Sequence, residues 1–125
     1  MSFKEHLEID SDIIPKLASG FGGGIGRKGS LCGAFTGAIL IIGAKVGRKD
    51  AQDRDGRDKA TGGARGFWDR FEGEFGSTEC RALTGCRMDD ESDRQRWLAG
   101  GGSEKCRDMV ERTAAILFDF LDEMK

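Results

Sequence analysis

Four cysteines, Cys32, Cys80, Cys86 and Cys106, are the side chains in this sequence best suited to chemistry. They are separated by 48, 6 and 20 positions, and no C-x-x-C occurs. A thioredoxin motif, a ferredoxin run, a covalent haem attachment and a zinc finger all rely on that short spacing, so none is present in its usual form. The single histidine, His6, falls in an N-terminal stretch, residues 1–10, that reads as mobile. Triad and imidazole-based acid–base chemistry therefore lack a base. Asp69, Glu72, Glu74, Asp119, Asp122 and Glu123 fall on the polar faces of expected helices and need no catalytic role.

The positions of the thiols narrow the chemistry. Cys32 follows Ser30 by two residues, Cys80 follows Ser77 by three, and Cys106 follows Ser103 by three. If these serines cap helices, three thiols sit in first helical turns, where the dipole and free N–H groups favour a thiolate. Arg81 and Arg107 add positive charge next to Cys80 and Cys106. Cys32, Cys80 and Cys106 are therefore expected to meet in space, with Cys86 nearby. Two uses follow: dithiol–disulfide exchange, or ligation of an iron–sulfur centre or a zinc ion by Cys32, Cys80, Cys86 and Cys106. The alternatives are a small binding module whose cysteines hold a structural zinc ion, and a metal-free helical interaction module whose cysteines are inert, buried as small hydrophobes.

A glycine-rich segment, Gly20–Gly29, precedes the first cysteine and includes a G-x-G-x-x-G at Gly24, Gly26 and Gly29. A dinucleotide fingerprint needs a strand before it and a βαβ unit around it, whereas a capped helix precedes this one. A phosphate-binding Walker loop fails as well, because Lys28 stands before Gly29 instead of after it. What remains is an anion-accepting turn made by uncovered N–H groups at Gly22, Gly23, Gly24 and Gly26 with Arg27 and Lys28. A tight connection without a ligand fits the same residues equally well.

The elements that must position these residues read as helices. Residues 11–19 form a short one with Ser11 as cap and Pro15 in its first turn, stopped at Gly20. Residues 30–46 are apolar throughout and form a buried central helix, with Gly33 and Gly37 suited to a close helix contact. Residues 47–62 alternate charge sign and read as a solvated loop or loose helix. Phe67, Phe71 and Phe75 then make the core stripe of a helix ending at Gly76. A short helix over ECRALT closes at Gly85, and Cys86 opens a loop that runs to Gly100–Gly102. A last helix, capped by Ser103, carries Cys106, Met109, Val110, Thr113, Leu117, Leu121 and Met124 on one stripe. No β alternation appears, so the expectation is an all-α single domain over residues 1–125, a small helical bundle with a glycine-rich loop before a buried central helix.

Composition excludes other classes. The 125 residues hold 20 lysines and arginines against 22 aspartates and glutamates, with the signs interspersed. A nucleic-acid binder would show a basic excess on one face or tail. The longest apolar run, Ala38–Ala44, is far short of the roughly 20 residues a bilayer needs, and MSFKEHLEID has no signal-peptide pattern. A cytoplasmic protein is expected, with a redox partner, no membrane span, and room for homo-oligomers. In a reducing compartment the cysteines are not permanent disulfides.

Gly29–Gly37, GSLCGAFTG, contains C-G-A-x-x-G as Cys32-Gly33-Ala34-x-x-Gly37. With the glycine-rich loop before it, Phe71-Glu72-x-x-Phe75-Gly76 leading into Cys80, and the late Cys106, the chain resembles the C_GCAxxG_C_C family, named for an inferred redox activity. The resemblance runs from about Leu17 to Leu121. It implies a small helical protein of the kind also found as a domain of split-Soret-type cytochromes and often encoded near transporters. By resemblance Cys32, Cys80 and Cys106 take the three later cysteine positions of the pattern. The family's upstream cysteine has no counterpart before Cys32, which leaves Cys86 as the candidate fourth thiol.

Overall fold

Apolar side chains recurring every three or four residues can be buried together only on helices, and the computed structural model, which describes residues 13–124, is built that way. Six α-helices follow in order: α1 Ile13–Ala18, α2 Gly33–Val46, α3 Arg54–Phe75, α4 Cys80–Thr84, α5 Glu91–Ala99 and α6 Gly102–Glu123. A 3-10 turn, Ser19–Phe21, extends α1 past Gly20, which does not stop it. Among the described residues there is no strand, only an isolated antiparallel bridge between Leu31 and Glu79. The architecture is all-α. Ser11, His6 and the stretch 1–10 lie outside the described residues.

Three helices make the core. Phe35, Ala38 and Ile42 of α2 meet Phe67 and Phe71 of α3 and Leu117 and Leu121 of α6, all of them nearly inaccessible to water. Each large side chain removed from water here contributes about 1.5–3 kcal/mol, which offsets the poor helix propensity of glycine-rich α2. The Phe35 ring is the hub, with centroids 5.3 Å from Phe71 and 5.1 Å from Trp68, both edge-on. Lys45 at the end of α2 donates to the Leu121 carbonyl at 2.9 Å, satisfying an acceptor in the last turn of α6.

The close helix approach is not where C-G-A-x-x-G suggests. Around Gly37 nothing lies within 4 Å of where a Cβ would stand, and Gly33 meets only the Phe21 carbonyl at 3.9 Å. α2 packs through Phe35, Ala38 and Ile42, and Gly37 is rotated off that stripe by helical geometry. The tight contact is on α3 instead. A Cβ at Gly63 would stand 2.8 Å from Met124 Cε and 2.9 Å from Ile42 Cγ2, and one at Gly66 would stand 3.2 Å from Phe120 Cζ. Gly63 precedes Phe67 by four residues, so the phenylalanine stripe continues backwards as an absence of side chains.

Two polar segments are more ordered than their composition indicates. α3 starts at Arg54, inside the charged 47–62 stretch, because Asp53 caps it by accepting from the Gly56 N–H at 2.9 Å. A second bond, from the Lys49 N–H at 3.0 Å, ties the preceding loop to the same carboxylate. These two backbone donors hold the Asp53 carboxyl below its usual range. α5 occupies part of the expected 86–102 loop, with Asp90 accepting from the Asp93 N–H at 3.0 Å.

Gly63→Leu is expected to destabilise the fold by roughly 1–3 kcal/mol through overpacking against Ile42 and Met124. Gly37→Ala is expected to raise stability by about 0.5–1 kcal/mol, since it gains helix propensity without a clash. Urea unfolding of both variants checks the pair, and the opposite order of stabilities would contradict this packing.

Candidate functional site

The glycine loop has an unusual backbone. Gly23, Gly24, Ile25, Gly26 and Arg27 all have positive φ, from 59° to 76°, so the chain makes a left-handed turn. Glycine adopts this freely, whereas Ile25 and Arg27 each bear a cost of about 1–2 kcal/mol. The turn closes on itself: the N–H groups of residues 25 to 30 donate to the carbonyls of Phe21, Gly20, Gly22, Ile25, Gly23 and Gly24, respectively. Of the N–H groups expected to bind an anion, that of Gly26 is thus committed to the Gly20 carbonyl. Lys28 reaches Asp89 at 4.0 Å on the surface.

From the loop the chain runs extended through Ser30–Cys32 and pairs with Thr78–Cys80. The Cys32 N–H donates to the Thr78 carbonyl at 2.8 Å and the Cys80 N–H to the Ser30 carbonyl at 2.6 Å, on either side of the Leu31–Glu79 bridge. Cys32 is thereby the N-cap of α2 and Cys80 the first residue of α4. Neither helix has a side-chain cap, nor does α6, where Gly101 occupies the cap position. The expected serine caps are therefore corrected. Ser30 is committed to the bridge, the Ser77 hydroxyl accepts from the Glu79 N–H in a local turn, and Ser103 lies inside α6.

Cys32, Cys80 and Cys106 line one cleft of about 660 Å³, whose walls include the loop glycines, Met88, Met109 and Trp97. Among the described residues its charged lining is Arg27 and Arg94, with no carboxylate or imidazole. Cys32 and Cys106 are half-buried, and Cys80 is buried under Gly24, where a Cβ would stand 2.7 Å from that of Cys80. Cys86 does not line the cleft. It is sealed behind it at 2% exposure, packed with Cys80, Met88 and Trp97, its Sγ 3.8 Å from Met88 Sδ. In the cleft the Cys32 Sγ faces Met109 Sδ at 4.0 Å. All four cysteines are free thiols.

Burial dominates the electrostatics. It pushes the Cys80 thiol up, and the neighbouring Cys32 and Cys86 add to the shift while a hydrogen bond with Thr84 opposes it. Cys106 is raised by burial first and then by Cys32, Cys80 and Cys86. Cys86 is raised by burial and by Asp93 and Asp90, against Arg94 and Arg96. The expected lowering at helix N-termini is thus reversed for Cys80 and Cys106. Cys106 is the fifth residue of α6, beyond the first turn where the dipole acts, and α4 is only five residues long. Among the described residues no group of three or more His, Cys, Asp or Glu side chains is arranged to hold a metal ion. The four-cysteine ligand set expected for zinc or an iron–sulfur centre does not fit this arrangement. Met88, Met109, Trp97 and Arg94 escaped the sequence reading as site residues. Only Met109 had a signal, its i+3 relation to Cys106.

The model of the family described as "Putative redox-active protein (C_GCAxxG_C_C)" matches residues 1–120 of the chain. No curated protein and no solved structure matches it. Among the described residues no helix is long and apolar enough to cross a membrane.

Gly24→Ala is expected to destabilise by about 2–4 kcal/mol, combining the left-handed backbone cost with overlap on Ser30 and Cys80. Gly26→Ala has the same sign of φ but open space around it, so about 1–2 kcal/mol is expected. Denaturant unfolding under reducing conditions separates the two. The raised thiols also set a pH dependence. A thiol that holds its proton more firmly when folded contributes stability that is full below the unfolded value near 9 and falls as pH rises through the folded one. Anaerobic unfolding should give a lower midpoint at pH 10 than at pH 8, and Cys106→Ala should flatten that decline.

Proposed function

Because the chain belongs to the C_GCAxxG_C_C family, we propose that it is a thiol redox protein in which Cys32 and Cys80 cycle between dithiol and disulfide, with Cys106 as a third thiol of the same cleft. The observation that carries this reading is the pairing of Ser30–Cys32 with Thr78–Cys80, which brings two cysteines 48 positions apart onto one face of the antiparallel contact around the Leu31–Glu79 bridge. Diagonal neighbours in such a contact lie about 7–8 Å apart, against about 4.4–6.8 Å between the Cα atoms of bonded cysteines. A small shift of one segment closes the difference.

The partner is a molecule carrying a disulfide. The Cys32 sulfur, more accessible than that of Cys80, attacks as thiolate on one sulfur of the partner, forming a mixed disulfide and releasing the other sulfur as a thiolate. Cys80 then gives its proton to that leaving thiolate and attacks the Cys32 sulfur, freeing the partner's first sulfur, which takes up the proton Cys32 had lost to solvent. The partner gains two electrons and two protons, and Cys32–Cys80 is left oxidised. Arg27 and Arg94 at the cleft supply positive charge for the thiolates that form in both steps. Cys86, sealed behind the cleft, takes no part in this reading.

Oxidised glutathione is the simplest partner for a test. Differential alkylation and mass spectrometry should find a Cys32–Cys80 disulfide with Cys86 still free. Cys80→Ser should trap glutathione on Cys32. Four thiols that stay free in excess oxidant, or a disulfide that recruits Cys86 ahead of Cys80, would overturn the reading.

A further inference from the structure

We propose that the cleft also binds a soft monovalent metal ion, copper(I), between Cys32 Sγ and Met109 Sδ, with Cys106 as the third sulfur. The first observation is the facing of a thiol and a thioether at 4.0 Å across the cleft, from α2 and α6. Two sulfurs each about 2.3 Å from an ion, as in metal–thiolate sites, stand about 4.0 Å apart when they subtend 120°. Their present separation is therefore that of two positions in a trigonal sulfur set. Cys106 lies three residues before Met109, one turn away on the same face of α6, and lines the same cleft.

The second observation is the chemistry of the lining. Among the described residues it offers sulfur from Cys32, Cys80, Cys106, Met88 and Met109, and no carboxylate or imidazole. Thiolate with thioether selects copper(I), whereas zinc prefers four ligands drawn from thiolate, imidazole and carboxylate. Charge points the same way. Arg27 and Arg94 at the cleft disfavour a divalent cation, but they balance a single positive ion held by two thiolates. Binding is a proton exchange without electron transfer: Cys32 and Cys106 release their protons to solvent as the ion enters.

The inference shares two cysteines with the disulfide reading but rests on the thioether, so the experiments separate them. The reduced full-length chain is titrated anaerobically with copper(I) against a chromophoric chelator. The Met109 and Met88 ε-methyl signals are followed by NMR in the same titration. One copper per chain is expected, with the Met109 methyl shifted and the Met88 methyl unmoved. Met109→Leu, which conserves volume, should weaken binding at least tenfold, and zinc(II) should compete poorly. If the Met109 methyl stays in place, or Met109→Leu binds copper as the native chain does, the inference fails while the Cys32–Cys80 disulfide is untouched. The wild-type methyl signal decides the matter even if the variant does not fold.

Discussion

Two backbone hydrogen bonds around Leu31 and Glu79 hold the functional half of this protein together. They join segments 48 positions apart, fix where α2 and α4 begin, and close the mouth of the glycine turn. A third bond, from the Arg81 N–H to the Gly29 carbonyl at 3.1 Å, extends the same contact. Each contributes only about 1 kcal/mol net, too little to close so long a loop unaided. The α2–α3–α6 core supplies the remainder. Phe35 on α2, packed on Phe71 of α3 with Phe75 beside it, holds the two segments side by side.

Where side chains recur at a helical period, the fold is readable from the sequence. Phe67 and Phe71 are fully buried and Leu117 and Leu121 nearly so, and the left-handed Gly76 and Gly85 end α3 and α4 as expected. Elements without such a stripe are not readable. α5 buries no residue and is held by the Asp90 cap and by Trp97, which leaves no room for a Cβ at Gly102. Gly63 was hidden for a related reason, since a contact made by a missing side chain adds nothing to hydrophobic periodicity. The serine caps misled because Ser30 had a stronger use in the bridge. Tertiary pairing overrode local capping there, and only the three-dimensional arrangement reveals which of the two wins.

Cys32, Cys80 and Cys106 line one cleft, but the electrostatics there run against the lowering expected at helix starts. Desolvation outweighs the helix dipole, so Cys80 and Cys106 favour the protonated form. A thiol of this kind is rarely ionised at neutral pH, yet its thiolate is intrinsically more nucleophilic, because nucleophilicity rises with basicity. Low-pKa disulfide oxidants owe their oxidising power to a stabilised thiolate in the reduced form. That stabilisation is missing at Cys80.

The left-handed turn over Cys80 is rigid by hydrogen bonding but built from the residues that gain most entropy on release. The turn carries no side chain at Gly24, and beyond its own carbonyls and the bridge it is tied down at its far end by Arg81, which donates to the Gly29 and Lys28 carbonyls, and by the Lys28–Asp89 ion pair. These are backbone and surface contacts; between Gly22 and Lys28 only Gly24 is buried, so the turn adds no buried side chain to the Phe35 core. What shields Cys80 is thus the closure of a glycine backbone on itself and not the packing of side chains.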